Sequence, residues 1–376
     1  MQRFPNTAAA RRRLRHRAAC AAVAAFGSVL LLCPACQNPQ RAAREEALNQ
    51  WNAARAQVKL HLAEEQLRAG NFETAADQLA EASRLDPKLP RLVPLQARLW
   101  LADGQIERAA ELLEAAPADN PGRAERCYLL GVARQQQERW SEAAAAFTEA
   151  AALDEREVAY VVAAVQARLQ LGEPQAALEL LIASARRFDY TPAYQAAAAE
   201  CHEQLGDWAA AASAWKRVAH ARASGPDIRL RLAQALCRAG RPVEAIPVYR
   251  DALPALEPAA QDVVRLELAG AYLATDQPAA AREQAQLVLR GTPDDPAALR
   301  ILALSYGQGG DLAAALRTAR RALELDAGHV PTAELVAALA WRAGERDLAR
   351  ATARRLYERD VENAVALRVL AGTQPQ

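Results

Sequence analysis

Cysteine, histidine and acidic side chains are the groups that could do chemistry in this chain, and their spacing decides how much. His61, His202, His220 and His329 stand far apart, and no two share the one-face helical spacing of a metal-binding pair. Cys127, Cys201 and Cys237 lie tens of residues from one another, without the close pairing of a zinc site, and three is an odd number for a disulfide framework. Asp294 and Asp295 directly precede Pro296 and read as helix-start chemistry. No Gly-rich phosphate loop and no Ser nucleophile elbow is present. The chain reads as non-catalytic, without metal, cofactor or small-molecule substrate. One thiol stands apart. Cys36 follows a small residue, Ala35, at the end of an apolar run, a setting for covalent modification of the sulfur.

The segment ahead of Cys36 explains that setting. The basic stretch Arg11 to Arg17 precedes an apolar run from Ala18 to Cys33, shorter than the roughly 20 residues of a membrane span. The sequence Cys33-Pro34-Ala35-Cys36-Gln37-Asn38 then resembles the lipobox of bacterial lipoproteins. The resemblance implies removal of a signal peptide at 1–35 and a diacylglycerol thioether on Cys36. Cys33, where Leu is usual, and Pro34 depart from the pattern. An uncleaved signal-anchor and an ordinary signal peptide cleaved near Ala35 are the other two readings. In each, the basic flank stays in the cytoplasm and the remainder is exported. Gln37 is not the Asp that retains lipoproteins at the inner membrane, so the resemblance favours the outer membrane. The expected location is the bacterial cell envelope, lipid-anchored, facing the periplasm or exterior.

Beyond Cys36 the chain is organised by a fixed interval. Gly70, Gly104, Glu138, Gly172, Gly206, Gly240, Asp276, Gly310 and Gly344 are spaced by 34 residues, except for 36 between Gly240 and Asp276. Five residues after each stands an alanine: Ala75, Ala109, Ala143, Ala177, Ala211, Ala245, Ala281, Ala315 and Ala349. Glycine closes a helix in the left-handed conformation. Asn71, Asp207 and Asp311 then read as caps, and Pro174, Pro242 and Pro278 as first-turn prolines. A second small row runs along the first helices at Ala63, Ala97, Gly131, Ala199, Ala233, Ala269, Ala303 and Ala337, broken by Val165. Small residues facing small ones let two helices approach until Leu62, Leu130, Leu232, Leu268 and Leu302 interlock. About a quarter of the chain is alanine and 52% is hydrophobic, which suits closely packed helices.

A 34-residue helix–turn–helix period is the signature of the tetratricopeptide repeat (TPR), and the chain resembles that family over almost all of its length after Cys36. The resemblance implies an all-α, right-handed superhelical solenoid of nine helix pairs. The expected plan is a signal peptide at 1–35, a short tether and N-terminal capping helix at 36–55, nine repeats at 56–361, and a C-terminal capping helix and tail at 362–376. Asn38-Pro39-Gln40 is expected to break any helix, and residues 41–55, with Trp51, to cover the open edge of repeat one. Pro247 inside a second helix, with Pro254 and Pro258 following, predicts a kink near Ile246–Val248 and a longer connection across Pro254–Gln261. That irregularity reads either as a tolerated insertion or as a hinge separating six repeats from three.

In the resembled family, ligands lie in a concave groove lined by the first helices. With the marker at position 15 of each repeat, positions 2, 5, 9, 12 and 13 should face it. The candidates are Leu67 and Arg68, then Tyr128, Gln135 and Gln136, then Gln166 and Gln170, then Glu200 and Gln204. They continue with Gln234 and Arg238, Arg300, Leu304 and Gln308, and end at Trp341 and Arg342. Apolar, amide and Arg side chains together suit a protein or peptide partner. The Lys and Asn set with which chaperone-binding members clamp a C-terminal carboxylate is absent. Six arginines fall within the first 35 residues, and without them the chain carries 40 basic against 45 acidic side chains. That mildly acidic balance argues against nucleic acid. The reading is a membrane-anchored, protein-binding scaffold in envelope, pilus or cell-wall assembly. The alternative is an accessory protein binding cell-wall glycan or extracellular polysaccharide, with Tyr128 and Trp341 as the aromatic platforms.

Overall fold

The structure, a computed structural model, describes residues 39–117, 122–220 and 225–374. The expected signal peptide and Cys36 lie outside the described residues. Among the described residues there are nineteen α-helices, one 3-10 turn and no strand. The chain divides into two compact units at Gly122 and Arg123. The first unit holds α1 (Pro39–Arg68), α2 (Phe72–Leu85), α3 (Leu92–Ala102) and α4 (Ile106–Ala115).

The second unit begins with α5 (Arg123–Gln136), α6 (Trp140–Leu153), α7 (Val158–Gln170) and α8 (Pro174–Phe188). Next come α9 (Pro192–Gln204), α10 (Trp208–Ala219), α11 (Pro226–Arg238) and α12 (Pro242–Ala252). After a 3-10 turn at Leu253–Ala255 follow α13 (Pro258–Ala274), α14 (Pro278–Gly291), α15 (Pro296–Gln308) and α16 (Leu312–Leu325). The last three are α17 (Val330–Arg342), α18 (Arg346–Arg359) and α19 (Ala364–Leu370), the last a short helix packed on α17 and α18. Each first helix packs on its own second helix, and α7 on α9, α13 on α15 and α15 on α17 also touch. Within each unit the first helices therefore form a row of their own.

The turn chemistry repeats at every junction. All nine markers have positive φ, from 56° at Asp276 to 87° at Gly310. Each closes its helix with two reverse hydrogen bonds, as where Gly206 N donates to Glu203 O at 3.1 Å and Asp207 N to His202 O at 2.9 Å. Asp207 and Asp311 cap the next helix by accepting from Ala210 N and Ala314 N at 3.0 and 2.9 Å. Asn71 does not cap; its amide donates to Gln66 Oε1 at 2.9 Å instead. Pro174, Pro242 and Pro278 each open a helix, where no hydrogen bond is lost.

Both small rows are buried. The nine alanines after the turns are 0% exposed, and so are Ala63, Ala97, Val165, Ala199, Ala233, Ala269, Ala303 and Ala337. Gly131 stands where the row could not take a methyl, because an added Cβ would sit 2.6 Å from the buried Phe147 ring. Leu232, Leu268 and Leu302 lie in the core as expected, but Leu62 is exposed, on the face of α1 turned away from α2.

Three expectations are corrected. Asn38-Pro39-Gln40 does not keep the chain from helix at this point: α1 starts at Pro39 and runs unbroken to Arg68, since no Gly or Pro interrupts it. Of residues 41–55, expected to cover the edge of repeat one, only Asn52 and Ala53 are half-buried and the rest, Trp51 included, are exposed. The extra residues near Pro254 do not make a long loop. α12 continues through Pro247, the 3-10 turn follows at once, and Pro258 opens a first helix of 17 residues rather than the usual 13. The insertion is absorbed as helix, and the unit boundary lies at Gly122.

Candidate interaction groove

One concave site on the row of first helices spans four repeats of the second unit. A cleft of about 470 Å³ is lined by Gln135 of α5, Gln166, Leu169 and Gln170 of α7, and Glu200, Glu203 and Gln204 of α9. Arg231 of α11 and Trp140, the first residue of α6, complete it. The 34-residue period stacks Gln166 and Glu200 at one register position, and Gln170 and Gln204 at another. Helix pitch does the rest, since positions 9, 12 and 13 share one face. Five of the sequence candidates are thus brought together: Gln135, Gln166, Gln170, Glu200 and Gln204.

The polar groups of this cleft fall into two classes. Glu203 is occupied: it accepts from the indole Nε1 of buried Trp215 at 2.6 Å and from Arg231 Nη1 at 3.0 Å. Arg231 also stacks over the Trp215 ring at 5.5 Å. Glu200 is left over. Its carboxylate has no hydrogen bond or ion pair to a described residue, and burial pushes its pKa above the ordinary carboxylate value. The Arg231 charge opposes that rise and the Glu203 charge adds to it. The side-chain amides of Gln135, Gln166, Gln170 and Gln204 likewise bond to no described residue. Four free amides around one desolvated carboxylate offer donors and acceptors for a backbone and one seat for a cation.

The remaining candidates are scattered or already engaged. Gln234 and Arg238 line a second cleft of about 620 Å³, with Cys237, Tyr249 and Glu267. There Gln234 donates to the Glu267 carboxylate at 3.0 Å, and Arg238 lies over the Trp208 ring at 4.5 Å. Gln308 donates to the Leu273 carbonyl at 3.1 Å, and Leu304 packs into the core beside Ile301. Arg300 is half-buried, and Gln136 and Arg342 are exposed. In the first unit, Leu67 packs against the α1–α2 core, while Arg68 is exposed with only a 3.9 Å approach to Glu64.

Both aromatic platforms are already engaged within the protein. Arg346 covers Trp341 at 3.5 Å, and Tyr128 is held between Tyr160 and Phe147, with centroids 5.0 and 5.5 Å away. Register reasoning passed over Trp140, Glu203 and Arg231. Glu203 shares the register position of Leu67 and Gln135, and that was the available signal. Arg231 and Trp140 reach the cleft from positions no groove pattern includes.

The three cysteines are free thiols. Burial raises each above its ordinary pKa, and Cys201 donates its S–H to the Pro174 carbonyl at 3.2 Å. Among the described residues no three His, Cys, Asp or Glu side chains gather as a metal site.

No curated protein matches the chain in sequence. Solved structures resemble it at low identity. The C-terminal part of a TPR-containing protein of Cytophaga hutchinsonii aligns with a TM-score of 0.49 and 15% identity, over 65% of this chain and 99% of that one. PilW, described as a widely conserved type IV pilus biogenesis factor, aligns at 0.47 and 16%, over 56% and 96%. YrrB, described as a TPR protein with an unusual peptide-binding site, aligns at 0.45 and 16%, over 54% and 99%. The sequence profile of the tetratricopeptide repeat matches residues 60–124, 162–219, 197–260 and 266–330, more than half of the whole. Together with nine left-handed junctions, spaced by 34 residues in all but one step, that match makes this chain a member of the tetratricopeptide repeat family.

Proposed function

We propose that this protein is a non-catalytic scaffold, anchored to a membrane and exported, that holds an extended peptide segment of a protein partner along its row of first helices. The segment carries a lysine or arginine that seats on Glu200. The cleft at Gln135 to Gln204 carries the reading. Side-chain amides there match the alternating donors and acceptors of a peptide backbone, and a desolvated carboxylate without an internal partner gains most from an incoming cation. Anchorage rests on the basic-then-apolar leader and Cys36. The setting in envelope, pilus or cell-wall assembly rests on the same leader. The pilus role of PilW belongs to that protein, and the likeness carries no argument for this one.

Selection of displayed random 12-residue peptides on the full chain tests the groove. Enrichment of Lys or Arg, with binding weakened about tenfold or more by Glu200→Gln, is the expected result. Peptides whose binding ignores Glu200→Gln and Gln170→Ala alike would sink it. Metabolic labelling with a lipid precursor tests the anchor, with label on the wild type and none on Cys36→Ala.

A further inference from the structure

The longest helix among the described residues leaves one face without a partner. On α1, the side chains packed toward α2 are Ala56, Leu60 and Ala63. Roughly a third of the circumference away, at 100° per residue, Arg41, Arg44, Leu48, Trp51, Arg55 and Val58 fall within an arc of about 100°. Leu48, Trp51 and Val58 are 56%, 62% and 60% exposed. Arg41, Arg44 and Arg55 are exposed as well and form no ion pair with a described residue. The two acids nearby, Glu45 and Glu46, lie outside the arc.

We infer that this face of α1 lies on the surface of an anionic lipid bilayer, with Trp51, Leu48 and Val58 in the headgroup boundary and the three arginines on lipid phosphates. Arginine interleaved with Trp and aliphatic side chains on one stripe is the composition of an interfacial helix. Among the described residues no helix is long and apolar enough to cross a membrane, so α1 lies on the surface instead of spanning it. A second copy of the chain is the poorer occupant, because the same three arginines would face their own counterparts across the seam. Cys36 stands three residues ahead of Pro39, a reach of about 10 Å. A lipid there would deliver this face to the bilayer, and one chain plus a basic patch holds where one chain alone does not. The inference is independent of what the groove binds.

Hydrogen–deuterium exchange of amides 41–58 tests it, with the full chain reconstituted into vesicles of phosphatidylcholine alone or with phosphatidylglycerol added. Exchange should slow by about fivefold or more in the anionic vesicles, the factor one arginine supplies at such a surface. The slowing should disappear in the R41Q/R44Q/R55Q variant. Exchange at residues 72–85 of α2 should not change, which shows that the variant keeps its fold. Equal protection in both vesicle types, or protection that survives the triple substitution, would overturn the inference. So would protection that grows with protein concentration in the absence of lipid, the mark of a second copy.

Discussion

At the scale of single residues, two positions show the difference between a repeat rule and its local cost. Glu138 and Asp276 occupy the turn position that glycine fills in the other seven repeats, at φ 58° and 56°. A side chain there crowds its own backbone. Glu138→Gly and Asp276→Gly should each stabilise the protein by about 0.5–1 kcal/mol, the strain relieved less the extra flexibility of glycine, read from chemical denaturation. Glu200 makes the opposite point. Burial raises its pKa, so the fold penalises the ionised form. That penalty is present in full above the folded pKa and vanishes once pH falls below the unfolded value, where both states are protonated. Glu200→Gln should therefore melt at a higher temperature than wild type at pH 7, and the two melting curves should converge in acid. A residue that costs stability while lining a cleft is one whose benefit lies outside folding.

At the scale of elements, α12 is the instructive one. Pro247 lies inside it, is exposed, and leaves the carbonyl of exposed Val243 without its helical partner. Water can serve that carbonyl, which is why the helix continues. Pro247→Ala restores the bond and should raise stability by about 1–2 kcal/mol in urea unfolding. The response shows whether the proline is merely tolerated; a drop in stability would mean that it holds a bend the neighbouring helices need. The extra residues that follow were visible as a break in the interval, but their fate was not. Pro254 and Pro258 suggested a loop, yet proline is at ease in the first turn of a helix. α13 uses Pro258 that way and gains a turn.

At the scale of the whole molecule, stability in each unit comes from neighbour on neighbour. Trp215, 2% exposed, sits in the core cluster shared by α9 to α13, whereas Val369 of α19 helps close the far end. In such a quasi-linear array, damage at the centre divides the stack, and damage at the end frays it. Trp215→Ala should cost about 3–5 kcal/mol and broaden the urea transition of residues 123–376 into more than one step. Val369→Ala should lower protection in exchange experiments only toward the C-terminus. A sharp single transition in the Trp215 variant would show that the repeats cooperate more tightly than nearest-neighbour packing explains.

What the sequence by itself determined is everything that recurs. A left-handed turn favours glycine, a close helix crossing favours a methyl, and both preferences return every 34 residues but for one step of 36. Gly206 and Ala211 therefore predict their counterparts in eight other repeats, and the all-α class follows. Which side chains stay free could not be read that way, because it depends on side-chain contacts within and between repeats. Gln234 and Gln166 share a register position, yet Glu267 takes the first and nothing described takes the second. Trp341 reads as an open platform until Arg346 folds across it. Glu200 and Glu203 stand one helical turn apart. Only the tertiary structure, by bringing Trp215 and Arg231 to Glu203 alone, leaves the other carboxylate unpaired in the cleft.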